Sequence, residues 1–207
     1  MGSKPIVRII LAICLCLAGA FVSSVLLAGH YGETWAKTTV KNACSDDTQE
    51  GDGCEKVEQS AWSSFAGIPV AAFGLMFYLS LFALLILSLF ATSTLRNALA
   101  GIAMILLALG ILTDMYLLGL QAFLIHAYCK VCIFTYVLSA GAFLSIFPAR
   151  RAIRGIPASA TDREGRLALA GWILGTVAFT AFVWGFDAML NARSMFREAT
   201  MLFGPGG

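Results

Sequence analysis

The sequence predicts an all-α integral membrane protein with five transmembrane helices. Hydrophobic residues make up 59% of its 207 residues, above the roughly 45–50% that is usual in soluble domains, and the mean hydropathy is +0.82. The apolar residues fall into five runs, and a helix needs about 20 of them to cross the hydrocarbon core. Helices are expected rather than an open sheet, because each helix satisfies its own backbone hydrogen bonds within lipid.

The first two predicted spans flank a polar segment. Span one covers residues 6–29, a polar and mobile loop with two cysteines covers residues 30–65, and span two covers residues 67–90. Pro69 is expected in the first turn of span two, where the N–H that proline lacks would have no helical partner.

Spans three and four are separated by a short excursion from the membrane. A turn at residues 91–97 leads into span three at residues 98–120, and residues 121–128 form the excursion. Span four starts at the C-x-x-C sequence of residues 129–132 and continues without a charge through residues 133–147. A pair of thiols is therefore predicted at a membrane boundary, where a helix begins.

Positive charges in the short loops predict the orientation. The loop at residues 148–166 contains five arginines, whereas the loop at residues 30–65 contains three lysines and seven acidic residues. Because Lys and Arg concentrate in cytoplasmic loops, the 148–166 loop and the N-terminus are predicted to be cytoplasmic. Residues 167–207 then form the fifth transmembrane helix, at 167–190, and an external tail. Both cysteine pairs lie on the outer, oxidising side of an inner (plasma) membrane.

Four cysteines on one face of the membrane predict redox chemistry. Cys129 and Cys132 are separated by two residues, so they can close a small strained disulfide ring and exchange with other thiols. Cys44 and Cys54 form a second pair, which on its own would be typical of a structural disulfide in an oxidising compartment. Zinc is the weaker alternative, because a structural site needs four convergent ligands, and no metal is predicted.

Two stretches of the sequence resemble the vitamin K epoxide reductase family, in its bacterial form. The first is C-E-K-V-E-Q-S-A-W at residues 54–62, followed by Gly67-Ile-Pro69 and Gly74, and the second is C-K-V-C-I-F-T-Y at residues 129–136. The likeness covers spans one to four in the order and sidedness of that family. It implies a four-helix bundle core around a quinone site, with span five as one peripheral helix.

The resemblance also implies a division of the chain and a function. Residues 1–147 are expected to form the catalytic core with its outer cysteine loop. This core would be a thiol–disulfide oxidoreductase that oxidises a periplasmic thioredoxin-like protein. Electrons would pass from the loop cysteines to the C-x-x-C pair and then to a quinone, ubiquinone or menaquinone. The expected partners are that protein, membrane lipid and the quinone pool, and no nucleic acid.

Four residues are predicted to contact the quinone. Tyr136 lies four residues after Cys132, so the two side chains share one helix face, and the tyrosine hydroxyl can bond a quinone carbonyl. Phe73 and Phe77 are expected to line an apolar pocket, together with Phe134. Ser60 is included through the resemblance, because the family has a serine six residues beyond its second loop cysteine.

Depth in the membrane predicts different roles for the two C-x-x-C sulfurs. Cys132 lies three residues further into the apolar run than Cys129, about 4.5 Å deeper at a rise of 1.5 Å per residue. Cys129 is therefore expected to exchange with the loop pair, and Cys132 to face the quinone. The family resemblance implies the same assignment.

Two departures from the family bear on the substrate. The loop cysteines have nine residues between them, a wider spacing than in the family, and Val70 occupies the position where vertebrate members carry a quinone-contacting asparagine. Vitamin K epoxide is therefore not assumed as the natural substrate. Two other functions stay open: a quinone or vitamin K epoxide reductase that uses the same thiols, and a non-enzymatic membrane protein with structural disulfides.

Overall fold

The protein is a bundle of apolar α-helices. The computed structural model describes residues 3–44, 53–65, 67–90 and 93–147, together with isolated helical positions between residues 170 and 192. Within these ranges α-helix predominates, which confirms the predicted all-α class. The predicted loop at 148–166, the external tail and most of span five lie outside the described residues.

The described ranges contain six α-helices, one π-turn and one small hairpin. The helices are α1 (Ser3–His30), α2 (Thr34–Cys44), α3 (Gly53–Gln59), α4 (Val70–Phe90), α5 (Ser93–Leu120) and α6 (Lys130–Ile146). Strands β1 (Ser64–Phe65) and β2 (Ile68–Pro69) pair antiparallel between α3 and α4. The π-turn, Gln121–Ile125, follows α5 directly.

In the part of the chain that the structure describes, three helices are long and apolar enough to cross a membrane. Their apolar stretches are Val7–His30 in α1, Val70–Ser88 in α4, and Leu99–Ile125 in α5 and the π-turn. Helix α6 is also apolar but shorter, at Lys130–Ile146, and it begins within the C-x-x-C sequence. Predicted spans one to four therefore correspond to α1, α4, α5 and α6, with bounds that differ by a few residues.

These four helices close into a ring. Helix α1 makes its main contacts with α4 and α6, and α5 makes its main contacts with the same two helices, as in the predicted four-helix bundle. Buried side chains from all four helices meet in one core; among them are Ala12, Leu81, Leu107 and Ala142.

Two glycines allow the helices to approach closely. A Cβ atom at Gly19 would overlap the ring of Tyr78, and one at Gly110 would overlap the ring of Phe77. Small residues at helix contacts are typical of membrane bundles, where close van der Waals packing holds the helices together. Helix α4 is thus packed through its aromatic residues against α1 on one side and α5 on the other.

The described parts of the segment predicted as a loop at residues 30–65 include two helices, α2 and α3. Helix α2 buries Ala36 and Cys44, and Val40 packs beside Cys44. These residues are spaced by four, so they form one face of the helix, a pattern that the surrounding polar residues obscure. In α3, Cys54 is buried. The two loop cysteines are therefore held on packed helices.

Two element boundaries also differ from the prediction. Pro69 pairs with Ser64 in the hairpin, and α4 begins one residue later, so the prediction of Pro69 in the first helical turn is wrong. The physical reason is the tight turn at Gly67, whose φ of 82° returns the chain onto β1. Helix α5 begins at Ser93, within the turn predicted at residues 91–97.

Candidate active site

Helices α2 and α3 bring the two loop cysteines together. Cys44 is the last residue of α2 and Cys54 the second residue of α3. They form a disulfide, with 6.1 Å between their Cα atoms. Each cysteine is only 5% exposed, so the packing of the two helices covers the bond.

Cys129 lies directly beside this disulfide. Its Sγ and those of Cys44 and Cys54 all lie within 4.8 Å of one another, and Cys129 is 2% exposed. Val40 and Val57 pack around the three sulfurs. We call these three cysteines the sulfur cluster. At this separation a thiol at Cys129 needs only a small movement to exchange with the disulfide.

The start of α6 shapes the C-x-x-C pair. Cys129 is the N-cap residue of α6, and its Sγ accepts a hydrogen bond from the Cys132 backbone N–H at 3.2 Å. A sulfur at this position faces the positive end of the helix dipole, which favours the thiolate form. Neither C-x-x-C cysteine is joined in a disulfide. The structure thus places a disulfide beside a C-x-x-C pair that is not joined to itself.

A close contact between α3 and the residues before α6 determines how the cluster is assembled. Gly53, the first residue of α3, lies against the carbonyl oxygen of Tyr128, where the Cβ of any other residue would overlap that oxygen. Gly53 directly precedes Cys54, and Tyr128 directly precedes Cys129. The absence of a side chain at Gly53 therefore lets the two cysteines approach each other.

A buried amide connects the C-x-x-C pair to Tyr136. Gln121 is 3% exposed. Its Oε1 accepts a hydrogen bond from the Cys129 backbone N–H at 3.0 Å, and its Nε2 donates one to the Tyr136 hydroxyl at 3.0 Å. The sequence prediction did not include Gln121, because an amide at the end of an apolar run is typical of a membrane boundary. The sequence feature that could have identified Gln121 is the position of this amide, eight residues before Cys129.

The π-turn holds Gln121 in place. It ends at His126, which has a left-handed φ of 53°, and the N–H groups of His126 and Ala127 both donate to the Gln121 carbonyl oxygen. π-turns and non-glycine residues with positive φ are uncommon in proteins overall. Those that occur are often found at functional sites. The backbone and the side chain of Gln121 are therefore both held by hydrogen bonds.

The part of the chain that contains both cysteine pairs matches a known family. A sequence profile of the vitamin K epoxide reductase family matches residues 10–147, well over half of the chain. The chain belongs to the vitamin K epoxide reductase family. Members of this family are membrane oxidoreductases that act with thiols and quinones, so this family member is an oxidoreductase as well. Among curated proteins, none matches the sequence.

In this family member, Tyr136 lies in a polar region of the otherwise apolar bundle. Its hydroxyl interacts electrostatically with Cys132, Asp114 and Cys129. Oδ2 of Asp114, on α5, is buried and has no hydrogen-bond partner in the described part of the chain. Carboxylates within membrane spans are usually functional. A tyrosine hydroxyl beside a thiol, among apolar helices, is a hydrogen-bond donor that fits the ring carbonyl of a quinone.

The other three predicted quinone contacts lie at different places: at the end of α3, beside the hairpin and in the bundle core. The Ser60 hydroxyl donates a hydrogen bond to a backbone carbonyl oxygen of α3 at 2.7 Å. Its proton is therefore already engaged at the end of α3. Phe73 is 39% exposed and meets Phe65 of the hairpin edge to face, with 6.4 Å between ring centroids. Phe77 packs into the bundle core. Their contacts with a quinone stay predictions.

A cavity of about 290 Å³ lies on another side of α6, between α1, α2 and the start of α6. Val40, Val131 and Phe134 are among its lining residues. Of the aromatic residues predicted around the quinone, Phe134 lines it, whereas Tyr136 faces Gln121 at the end of α5. This cavity is therefore separate from the region around Tyr136.

The sulfur cluster also has the composition of a soft metal site. Its three Sγ atoms converge, and thiolates are the preferred ligands of zinc. Two of the three are joined in a disulfide, however, and a disulfide offers no thiolate. In this oxidation state the cluster is arranged for exchange between sulfurs.

Proposed function

We propose that this protein oxidises the dithiol of an extracytoplasmic thioredoxin-like protein and passes the electrons to a quinone of the membrane. The observation that carries the proposal is the sulfur cluster, in which the Sγ atoms of Cys44, Cys54 and Cys129 lie within 4.8 Å of one another. A purely structural disulfide has no need of a third cysteine buried beside it, whereas a relay does.

The relay has three steps, and each transfers two electrons. The partner dithiol attacks the Cys44–Cys54 disulfide; the partner becomes a disulfide and the two loop cysteines become thiols. The loop thiols then reduce a Cys129–Cys132 disulfide in the same way. Finally, Cys129 and Cys132 lose two electrons and two protons as their S–S bond forms. A bound quinone supplies the oxidising power for this last step and leaves as the quinol.

The structure corresponds to one state of this cycle. The loop pair is a disulfide and the C-x-x-C cysteines are not joined in one, an arrangement that supports a state of the proposed cycle before the partner has reduced the loop pair. Cys129 is the sulfur beside the loop disulfide, which supports its predicted role in exchange. Cys132 lies one helical turn further along α6, on the helix that carries Tyr136, which supports its role beside the quinone.

The experiment compares two electron donors with purified protein in lipid. With a reduced thioredoxin-like protein as donor, Cys44→Ala and Cys54→Ala should abolish quinone reduction, because a folded partner cannot reach Cys129. With a small membrane-permeant dithiol, the same variants should keep most of the wild-type rate, since this donor reaches the C-x-x-C pair directly. Cys14→Ala is the matched control, because Cys14 is a free cysteine of α1 and should be needed with neither donor.

Two results would overturn the proposal. Equal loss with both donors would give the loop pair another role, and full activity of Cys129→Ala would remove the C-x-x-C pair from the relay.

Vitamin K epoxide, ubiquinone and menaquinone are tested in parallel as acceptors, which separates disulfide formation with either quinone from epoxide reduction by the same thiols. Resistance of the Cys44–Cys54 disulfide to glutathione would support a structural disulfide instead.

A further inference from the structure

The hydrogen bonds around Gln121 determine which way its amide points. The backbone N–H of Cys129 can only donate, so the group that it meets at 3.0 Å must be the amide oxygen, Oε1. The other end of the amide, Nε2, therefore faces Tyr136. An amide nitrogen can only donate as well. The contact of 3.0 Å is thus a hydrogen bond from Gln121 to the oxygen of Tyr136.

This direction has a consequence for the proton of Tyr136. The tyrosine oxygen accepts from Gln121, so its own O–H bond must point away from Gln121 and remains able to donate. Cys132 and Asp114 lie near this hydroxyl, in the region that we assign to the quinone. If residue 121 offered an acceptor at this place, the Tyr136 proton would turn toward it and be lost to a substrate.

We propose that Gln121 is a positioning residue that holds the Tyr136 hydroxyl as a hydrogen-bond donor to the substrate carbonyl. The inference rests on the proposed function, since it names what the hydroxyl donates to. It goes further by assigning to one amide two tasks: orienting Tyr136 and bonding the Cys129 backbone. As electrons arrive, negative charge develops on the carbonyl oxygen, and a donor already in place stabilises that charge without rearrangement.

The local backbone is built to keep this arrangement rigid. Two N–H groups hold the Gln121 carbonyl oxygen from the far end of the π-turn. The side chain is 3% exposed, so water does not compete for its hydrogen bonds. A positioning group works only if it does not move when the substrate arrives, and these contacts meet that condition.

The test is a double-mutant cycle with Gln121→Met and Tyr136→Phe, measured as the rate of quinone reduction by a small membrane-permeant dithiol. Methionine has nearly the length of glutamine and makes neither hydrogen bond. Each single variant should lose about tenfold or more in kcat with a smaller change in KM, the loss expected for one hydrogen bond to a developing charge. In the Tyr136→Phe background, Gln121→Met should cost less than about twofold, because its effect passes through the hydroxyl.

A merely structural role gives a different result. If Gln121 acted only by bonding the Cys129 N–H, the substitution would cost the same factor with Tyr136 or Phe at position 136, and that result would overturn the inference. Gln59→Met is the matched control: Gln59 is an exposed amide at the end of α3, bonded to Glu55. This control should stay within about twofold of the wild-type rate.

The outcome also separates this inference from the function on which it rests. A wild-type protein that reduces quinone, combined with independent effects of the two substitutions, contradicts the role of Gln121 alone. A wild-type protein that reduces no quinone with either donor contradicts both. If the Gln121→Met variant reduces quinone at the same rate as the wild-type protein, the positioning role is likewise rejected.

Discussion

At the scale of single residues, the site depends on which atoms of the backbone and side chains lie beside the sulfurs. Cys129 has the loop disulfide within 4.8 Å, the Cys132 N–H on its Sγ at 3.2 Å and the Gln121 amide on its own N–H. It is the residue at which the outer pair, the helix N-terminus and Tyr136 are joined. Its role as the exchanging sulfur is directly testable.

Substitution of Cys132 should trap the exchange intermediate. In Cys132→Ser the sulfur that would resolve the exchange is missing, so Cys129 should remain linked to a loop cysteine. Combining it with Cys44→Ser or Cys54→Ser in turn shows which loop cysteine pairs with Cys129. Mass spectrometry of a non-reduced digest measures the link. The reverse variant, Cys129→Ser, should give no loop link to Cys132, and such a link would reverse the two roles.

Gly53→Ala should separate the cluster without unfolding the bundle. The new Cβ would meet the Tyr128 carbonyl oxygen, so α3 must shift and Cys54 must move away from Cys129. We expect slower reduction of the C-x-x-C disulfide by the loop thiols, by about tenfold, in a stopped-flow thiol-exchange assay. Gly119→Ala is the control, because a Cβ there meets nothing within 4 Å. Equal exchange rates in both variants would contradict the role of this contact.

At the scale of elements, helix α4 joins the bundle to α6 through a buried tyrosine. The Tyr78 hydroxyl donates to the Thr135 carbonyl oxygen at 2.6 Å and lies 2.8 Å from the Ser139 hydroxyl. Thr135 in turn bonds back to the Cys132 carbonyl oxygen at 2.7 Å. The first turns of α6, which carry the C-x-x-C pair, are therefore tied to α4 by side-chain hydrogen bonds.

Removal of this hydroxyl should weaken the bundle. Tyr78→Phe keeps the ring that packs on Gly19 and loses the bonds to α6, so we expect a loss of about 1–2 kcal/mol in the free energy of unfolding. Thermal or denaturant unfolding in detergent measures it. Tyr116→Phe is the control: Tyr116 is 59% exposed on α5, and its change should stay within about 0.5 kcal/mol. Similar losses in both variants would argue against the α4–α6 link.

At the scale of the whole molecule, the four-helix ring carries its sulfur chemistry at one end. The cluster lies where α2, α3 and the start of α6 meet, whereas the ring of α1, α4, α5 and α6 supplies an apolar body. In the proposed function this apolar body would hold the quinone beside Cys132, and a folded partner would have to displace the packing of α2 and α3 that covers the loop disulfide. The orientation of this end toward the outside is a prediction from the loop charges.

Labelling of intact cells should test that orientation. After mild reduction, a membrane-impermeant thiol reagent should modify Cys44 and Cys54 from the outside, because the arginine-rich loop at 148–166 is predicted to be cytoplasmic. Cys14 and Cys16, within α1, should remain unmodified and serve as the internal control. Modification of the loop cysteines only after the cytoplasmic side is opened would reverse the predicted topology.

The sequence by itself determined the class of the molecule and the chemistry it carries. Long apolar runs permit only helices in lipid, so α1, α4 and α5 were predictable to within a few residues, and the C-x-x-C sequence marked the start of α6. These are local properties of the chain. The amphipathic face of α2 was also local, but polar residues around Ala36 and Cys44 hid it.

Only the tertiary structure decided how these residues act together. The approach of Cys129 to the loop disulfide depends on α3 packing against Tyr128, and the role of Gln121 depends on a π-turn that aims one amide at two partners. Each is a contact between residues from different elements, which spacing along the chain does not encode. Pro69 shows the same limit, since the hairpin, not the proline's own preference, determined where α4 begins.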